Sequence, residues 1–503
     1  MKILVLQLAR LGDIYLSHPA LRALKRRYPQ AEIHFLVRDR FKAAAQSLEV
    51  VDRLWIWDTK KFLAPFIYET PDKDEAALKE VSSFCESLRN EKFTNIINLS
   101  FSPLSSYLTH AIAGSQTQVM GYTRFEDGYL NLPDDTSAYF YAQVGVGRYN
   151  RLHLSDIFAT TMGLEMEEAD FVAPVKWLSE SNKRRVFEKY NSNSFVNQDF
   201  LVVHIGSSTP RKTLEVYKWR QVVHRLVKEV AIPVVLVGGK EEEENAQQIL
   251  VGLKTNERIC SLVGRTELEE VFPILEKSRL VIGGDSVMVH MASLVQTPVL
   301  NLSFSSVRFW ETGPTSPGSR VLYTESSKDL ASDRVILEVL NCLDNVPSRY
   351  KEVYYRQMDI LSPYKGEKAS GEFQWSLIKA IYMGKMFPVV ENALTFEGLK
   401  RLAEIVILAK ELLQRMGSRE QRAEAQKIFD LVDDLLFQVM ELAPELYPLV
   451  SWFQTERVRI GPGSFETILE KTKKCFFNLE KVLSLYLDEN ELKGDSSGKN
   501  MFR

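Results

Sequence analysis

The chain has 503 residues, of which 45% are hydrophobic and 26% charged, and its formal net charge is −3. This length exceeds that of one ordinary domain and favours about three domains. The hydrophobic and charged fractions are those of a soluble globular protein with well-filled cores. A charge so close to neutral gives no reason to expect a nucleic acid partner.

The cysteines and the N-terminus indicate where the protein works. Four cysteines, Cys85, Cys260, Cys342 and Cys475, are far apart in the chain and show no CxxC spacing. We therefore expect buried free thiols in a reducing compartment. Residues 1–9 lack a small-residue cleavage site, so they predict a first strand and not a signal peptide. No apolar run approaches the ~20 residues that cross a bilayer. Together these features predict a cytoplasmic protein.

The first part of the chain alternates between strand and helix patterns. Such alternation predicts βαβ units with a parallel sheet. The predicted strands are 3–8, 32–37, 53–57, 93–98 and 118–121.

The first strand ends in a loop, 9–13, before a predicted helix. Asp13 would then lie at the carboxyl edge of a parallel strand, where side chains face a crevice. Gly12 would let the backbone approach a ligand closely. The alternative is that Asp13 only caps the helix that follows.

The middle of the chain changes in character before a second alternating set begins. Residues 148–162 predict a helix, 172–177 an extended segment, 180–190 a polar helix, and 191–194 a linker. The second set of predicted strands is 200–204, 233–237, 260–262, 280–282, 298–301 and 320–323. Two similar halves joined by a linker predict a cleft, and ligand sites favour such interfaces.

Two loops of the second set carry candidate ligand-binding residues. The loop 206–212 offers the hydroxyls of Ser207 and Ser208 and the cation of Lys212, which suit a diphosphate. Glu241 follows the glycines at the end of a strand, where an acid can bind ribose hydroxyls. Alternatively, the acids 241–244 form a solvated first helical turn favoured by the helix dipole.

The stretch 279–294 is the most informative of the chain. A short apolar strand is broken by Gly283 and Gly284, and a helical pattern starts at Val287. Asp285 and Ser286 stand where a helix N-cap belongs, so the first-turn N–H groups would face the crevice and suit a phosphate. His290 lies about one turn into the helix. The alternative is that the two polar residues only cap the helix and His290 only packs.

The last third of the chain predicts helices. From about Lys328 the pattern is helical throughout, with apolar stripes in 399–416, 428–439 and 465–486. These stripes predict an extra helical domain of about 140 residues without a catalytic constellation. The residues 494–500 predict a frayed tail. The loop 310–314 is predicted at the crevice edge of the second set.

Several common functional motifs are absent from the sequence. No GxGxxG opens the first helix, there is no GxxxxGK[ST] or HExxH motif, and no GxSxG elbow joins a predicted strand to a predicted helix. No histidine pair has metal-ligand spacing. The sequence therefore predicts neither a metal site nor a bound cofactor.

Three stretches taken together resemble glycosyltransferase family nine, the heptosyltransferases that build the inner core of bacterial lipopolysaccharide. They are 8–14 (Leu-Ala-Arg-Leu-Gly-Asp-Ile) with 18–21 (His-Pro-Ala-Leu), 204–208 (His-Ile-Gly-Ser-Ser), and 284–292 (Gly-Asp-Ser-Val-Met-Val-His-Met-Ala). Their order and separation are those of the family, over about residues 1–345.

The resemblance implies a GT-B architecture, an α/β fold with two Rossmann-like domains facing across a cleft, here followed by a C-terminal all-α domain. The implied domains are 1–190 on the acceptor side, 195–345 for the nucleotide sugar, and a helical extension, 346–503. The usual family members lack this extension. The implied chemistry is inverting and metal-independent, because one base and an electrophilic surround for the leaving diphosphate are sufficient.

The resemblance also implies a role for each candidate residue. Asp13 matches the general base. The nucleotide-sugar site is implied at Ser207, Ser208, Lys212, Glu241, Asp285, Ser286, Val287 and His290. Val287 departs from the family, which has Gly or Ala there, and its side chain would crowd the diphosphate or alter the loop.

The function implied is transfer of a heptose or similar sugar from a nucleotide-diphosphate donor, with ADP-heptose as the candidate, to a hydroxyl of the lipopolysaccharide core. A lipid-linked acceptor would bring peripheral contact with a membrane. Three alternatives stay open: a protein O-glycosyltransferase that recognises its acceptor with the helical domain, a non-catalytic nucleotide-sugar-binding protein, and a nucleotide-sugar epimerase.

Overall fold

The computed structural model describes residues 1–67, 71–146, 149–172, 175–190, 198–253, 258–356, 364–365, 371–416 and 422–488. The predicted linker 191–194 and the predicted tail lie outside these residues. The chain divides into two compact units. Unit 1 comprises Met1–Ser100, Ile112–Gln118 and Arg151–Lys368, and unit 2 comprises Phe101–Ala111, Val119–Asn150 and Ala369–Arg503. The predicted domain boundaries at 190–195 and 345–346 stay a prediction.

The first 190 residues alternate between strands and helices, as predicted. The elements are β1 (Lys2–Gln7), α1 (Leu11–Arg27), β2 (Glu32–Arg38), α2 (Lys42–Gln46), β3 (Arg53–Trp57), α3 (Thr59–Ile67), α4 (Pro71–Arg89), β4 (Asn95–Asn98), α5 (Pro103–Ile112), β5 (Gln118–Gly121), β6 (Thr123–Arg124), β7 (Leu130–Asn131), α6 (Asp135–Tyr139), α7 (Leu154–Thr161) and α8 (Glu180–Lys189).

The first sheet has the strand order β3-β2-β1-β4-β5. Strand β1 pairs in parallel with β2 and β4, and Ile3 to Leu6 are buried. A continuous apolar run forms such a strand because both faces of a central parallel strand are covered. We call the strands β1 to β4, with their helices in unit 1, the first lobe.

Two sequence predictions in this region are wrong. The helix predicted over 148–162 begins only at Leu154, because His153 occupies the N-cap and its ring accepts the Ser155 N–H. The segment predicted as extended over 172–177 contains a 3₁₀ turn, Val175–Leu178. Apolar side chains alone did not distinguish a packed turn from a strand.

The second alternating set continues to residue 365. Its elements are β8 (Leu201–His204), α9 (Val216–Glu229), β9 (Val234–Val237), α10 (Glu243–Leu250), β10 (Ile259–Ser261), α11 (Leu268–Lys277), β11 (Leu280–Gly284), α12 (Val287–Leu294), β12 (Val299–Phe304), α13 (Phe309–Thr312), β13 (Arg320–Thr324), α14 (Ser332–Leu343), β14 (Val353–Arg356) and β15 (Tyr364–Lys365).

These strands form an eight-stranded sheet of order β10-β9-β8-β11-β12-β13-β14-β15. The strands from β10 to β13 pair in parallel, so their carboxyl ends bring the following loops to one edge. We call this sheet with its helices the second lobe. Its core joins buried side chains of β8, β11 and β12 to those of α9 and α14.

The prediction that the chain is helical throughout after about Lys328 is wrong. Strand β14 pairs antiparallel with β13, and β15 pairs antiparallel with β14. The run Val353-Tyr354-Tyr355 has the β-branched and aromatic composition of a strand, so a local signal was present. The predicted break of β11 at its glycines is also wrong, because the strand includes Gly283 and Gly284.

The final helices are α15 (Glu372–Met383), α16 (Ala393–Arg415), α17 (Arg422–Leu442), α18 (Tyr447–Val458) and α19 (Phe465–Leu483). The three predicted stripes lie in α16, α17 and α19, and they contribute to one buried core. In the described parts of the chain, no helix is long and apolar enough to cross a membrane. The four cysteines are free, but Cys260 and Cys342 are only partly buried, against the prediction.

Candidate active site

A cavity of about 730 Å³ lies between the two lobes of unit 1. It has the size of a small-molecule site. All nine predicted site residues line it, with Asp13 from the first lobe and the other eight from the second. The structure therefore brings together residues that are up to 277 positions apart in the chain, from Asp13 to His290.

Asp13 lies in the first turn of α1, which begins at Leu11, three residues earlier than predicted. The N-cap residue is Arg10, and its side chain makes no capping hydrogen bond. Burial raises the pKa of Asp13 to about 6, while the charge of Arg10 and a hydrogen bond from its backbone act in the opposite direction. The carboxylate thus serves the helix start, as the alternative reading expected, and still faces the cavity with a pKa suited to a base.

The electrostatic surroundings of Asp13 extend to the second lobe. The charge of Asp285 raises the pKa of Asp13 further, and the charge of Lys212 lowers it. Asp13, Asp285 and Lys212 all line the same cavity.

The two lobes are in close contact at Gly12. A Cβ atom on Gly12 would lie 2.9 Å from Cδ2 and 3.1 Å from Nε2 of His290. The absence of a side chain therefore lets the start of α1 rest on the imidazole. His290 is 7% exposed, and burial lowers its pKa to about 4, so the ring is neutral at physiological pH.

An ion pair forms the floor of the second-lobe side. Lys212 Nζ donates to Asp285 Oδ2 at 2.5 Å, and Thr312 Oγ1 donates to Asp285 Oδ1 at 2.8 Å. Asp285 is 6% exposed. Both oxygens of Asp285 therefore hold cavity-lining residues in place, and the alternative that Asp285 only caps the helix does not account for these contacts.

The N-terminus of α12 opens onto the cavity. Ser286 is the N-cap with an extended backbone, but its side chain makes no capping bond. Its hydroxyl instead contacts His204 Nδ1 at 3.2 Å. Burial lowers the pKa of His204 to about 4. The first-turn N–H groups of a helix have no acceptor within that helix, so an anion can bind there.

Val287 is the first residue of α12, and its partly buried side chain lines the cavity. The helix starts normally despite the branched side chain, because helical geometry accepts valine at this position. The expected crowding of a diphosphate by Val287 stays a prediction.

The hydroxyl loop offers less than its composition suggested. Ser207 Oγ donates to the backbone oxygen of Thr209 at 2.5 Å, which fixes the turn before the short 3₁₀ segment Pro210–Lys212. Ser208 is exposed at the cavity edge. The loop places Lys212 by its backbone, because Gly284 leaves room for the Lys212 carbonyl.

Two adjacent acids line the cavity at the end of β9. Glu242 accepts the Gly239 N–H at 2.6 Å and lies against Gly206, so its carboxylate is part of the turn. Burial and the charge of Glu241 raise the pKa of Glu242. Glu241 is exposed, which leaves its carboxylate accessible to a ligand. Sequence reasoning singled out Glu241 and missed the structural role of its neighbour.

Other cavity residues were missed as well. Apolar and hydroxyl side chains from the α11 region and α12 form one wall, and two residues after β2 belong to the first-lobe side. They are Thr266, Leu268, Val271 and Met288, and Arg40 and Phe41. Ordinary core-like or surface-like residues carry no motif, so only the fold identifies them. Thr312 lies in the loop 310–314 that was predicted at this edge.

The arrangement suits transfer chemistry with an anionic leaving group. A carboxylate from one lobe faces a cation and a helix N-terminus from the other, and the apolar wall can hold a flat base. Among the residues that the structure describes, no three His, Cys, Asp or Glu side chains are grouped as metal ligands. A reaction without a metal stays a prediction.

Comparisons with known proteins identify the family and the fold. Residues 81–335, just over half of the chain, match the model of glycosyltransferase family 9 (heptosyltransferase). Lipopolysaccharide heptosyltransferase 1 of Campylobacter coli is 22% identical over 314 residues, which covers 60% of this chain and 83% of that protein.

Two solved structures share the fold. The E. coli ADP-heptose lps heptosyltransferase II superposes with a TM-score of 0.50 at 19% identity, covering 69% of this chain and 99% of that one. The E. coli heptosyltransferase WaaC with ADP also superposes with a TM-score of 0.50, at 14% identity, covering 68% of this chain and 100% of that one. The predicted fold class, GT-B with a C-terminal helical region, is confirmed. The chain belongs to glycosyltransferase family 9, and it is a glycosyltransferase.

Proposed function

We propose that this protein transfers a heptose or similar sugar, with inversion, from a nucleoside-diphosphate donor to a glycan hydroxyl of lipopolysaccharide. The observation that carries the proposal is the Asp13 carboxylate, with its pKa raised to about 6, opposite Lys212 and the start of α12 in one cavity. The relatives named above carry ADP-heptose or lipopolysaccharide in their names, which supports this donor and acceptor.

In the proposed reaction, the acceptor hydroxyl attacks the anomeric carbon of the sugar. Asp13 takes the hydroxyl proton as the new carbon–oxygen bond forms. The bond between the anomeric carbon and the phosphate oxygen breaks, and the electron pair leaves with the nucleoside diphosphate. Attack from the face opposite the leaving group inverts the anomeric carbon.

The second lobe would stabilise the departing diphosphate. Lys212 and the first-turn N–H groups of α12 supply positive charge where negative charge develops. Glu241, which lines the cavity, would accept hydrogen bonds from ribose hydroxyls, and the side chains of Leu268 and Met288 would contact the base. Since Lys212 already pairs with Asp285, the diphosphate would share this cation with the carboxylate.

A product assay tests the proposal. The full chain is mixed with ADP-heptose and a lipopolysaccharide core acceptor, and NMR of the product reports the anomeric configuration. We expect an inverted linkage. The Asp13→Asn variant should lose about 10²- to 10⁴-fold in kcat/KM, the usual contribution of a general base. Asp344→Asn, an exposed residue at the end of α14, serves as the matched control and should stay at wild-type activity.

Other outcomes would reject parts of the proposal. Full activity of Asp13→Asn would reject Asp13 as the base, and a retained anomeric configuration would reject the inverting mechanism. Tight donor binding without turnover would indicate a binding protein. Release of free sugar without an acceptor would indicate an epimerase. Glycosylated protein in place of glycan would indicate the protein O-glycosyltransferase that the helical extension also allows.

A further inference from the structure

Unit 2 contains a polar cavity of about 530 Å³ that the proposed reaction does not use. It lies between the π-helix Phe140–Val146 and the α-helices α17 and α18. Its polar lining side chains are Tyr141, Asp433, Ser451, Gln454, Thr455 and Arg457. The cavity is open to solvent, and its volume and its several hydrogen-bonding side chains suit a small polar ligand.

The charged groups of this cavity compensate each other. The Arg457 guanidinium binds both carboxylate oxygens of Asp433, with the second contact at 3.3 Å. It also lies over the rings of Phe429 and Phe453 at 5.4 and 5.8 Å. The guanidinium is therefore held in place with no net charge left for a ligand. An anion would meet the carboxylate and a cation would meet the guanidinium, so the cavity favours a neutral ligand.

The cavity is lined by a buried hydroxyl, that of Ser451, whose hydrogen-bonding capacity is not satisfied by the residues that the structure describes. Ser451 is 2% exposed, and its Oγ has no hydrogen-bond partner among the residues that the structure describes. The neighbouring hydroxyl is already engaged, because Thr455 Oγ1 donates to the Ser451 backbone oxygen at 2.7 Å. A buried polar group without a partner is costly, so such a group at a cavity points to a ligand that completes it.

The remaining groups define the chemistry of that ligand. Gln454 offers an amide donor and acceptor, and Tyr141 offers a phenolic hydroxyl. The ion pair of Asp433 and Arg457 has further lone pairs and N–H groups that a ligand can reach. The Tyr141 ring is oriented by an edge contact with Tyr122, at 6.2 Å between centroids. Alternating donors and acceptors around a neutral space match the hydroxyl groups of a sugar ring.

We propose that this cavity of unit 2 is a second carbohydrate site, which binds a neutral sugar residue independently of the donor site. The proposal does not depend on the identity of the transferred sugar. It assigns a binding role to the helical extension, in which the sequence showed no catalytic constellation.

The test measures binding of the labelled full chain to an array of immobilised neutral and acidic mono- and oligosaccharides. We expect binding to neutral sugars, and we expect Gln454→Leu to reduce it at least tenfold. Gln438→Leu, an exposed residue of α17 outside this cavity, is the matched control and should bind like the wild type. Saturating ADP, which would occupy the proposed donor site, should leave this binding unchanged, and that result would separate the two sites.

A second variant guards against misfolding. Ser451→Ala removes the hydroxyl that has no partner, so it should fold with unchanged or higher thermal stability while binding more weakly. The proposal is overturned if the wild type binds no neutral saccharide, if it binds only acidic ones, or if neutral binding survives both Gln454→Leu and Ser451→Ala.

Discussion

The two sides of the donor cavity differ in how their charges are held. On the second-lobe side, Lys212 and Asp285 neutralise each other, and Thr312 completes the carboxylate. On the first-lobe side, the Asp13 carboxylate forms no salt bridge with any residue that the structure describes, and burial raises its pKa to about 6. Under the proposed function, the second side would bind the donor with charges already in place, whereas the first would supply the group that takes a proton. This division is what a transferase with one base requires.

Removing the cation should have the largest effect on the second side. We expect Lys212→Met to lower kcat/KM by about 10²- to 10³-fold, as loss of a preorganised electrostatic contact typically does. The loss should come with weaker ADP binding, measured by calorimetry. Lys240→Met is the matched control, because Lys240 is exposed in the turn after β9 and does not line the cavity. Equal losses in the two variants would show a general charge effect instead of a specific contact.

Filling the contact between the sides should misplace the base. A Cβ on Gly12 would press on His290, so Gly12→Ala should shift the start of α1 and with it the neighbouring Asp13. We expect kcat/KM to fall about tenfold, since displacements below 1 Å already reduce rates. In a double-mutant cycle, the same change made in a His290→Ala background should cost much less. Additive losses would contradict a direct clash.

The unusual ionisation of Asp13 should also be visible in stability. A carboxylate whose folded pKa is raised adds stability below its unfolded pKa of about 3.9, and this contribution is lost as the pH rises through about 6. As the pH rises from 4 to 7, the free energy of unfolding of Asp13→Asn should therefore increase relative to that of the wild type, by up to about 3 kcal/mol. Thermal unfolding of both proteins across this range measures it. A difference that does not change with pH would refute the raised pKa.

The sequence was sufficient for the parts of the molecule with strong periodicity. Apolar runs located the parallel strands to within a few residues, and the strand ends then placed Asp13, Lys212 and Asp285 at one edge. It failed where tertiary contacts decide. Strand β14 pairs with the edge of β13 and β15 pairs with β14, within a region whose overall pattern was interpreted as helical. The turn Val175–Leu178 has the apolar composition of a strand.

Within the site, the sequence identified polar residues but could not assign their partners. The side chains of Ser207 and Glu242 form hydrogen bonds with backbone atoms of their own turns. Composition alone cannot distinguish this role from ligand binding. The contact between Gly12 and His290 could not be predicted from the sequence, because it depends on how the two lobes pack against each other. The cavity wall at Leu268 and Met288 has the composition of ordinary core.

The pH dependence of kcat/KM between pH 5 and 8 tests the central claim most directly. His204 and His290 do not titrate in this range, because burial lowers their pKa values to about 4. Asp13, with a pKa of about 6, must lose its proton to act as the base. We therefore predict that kcat/KM rises about tenfold per pH unit below pH 6 and is constant above it. A kcat/KM that is independent of pH from 5 to 8 would contradict Asp13 as the base.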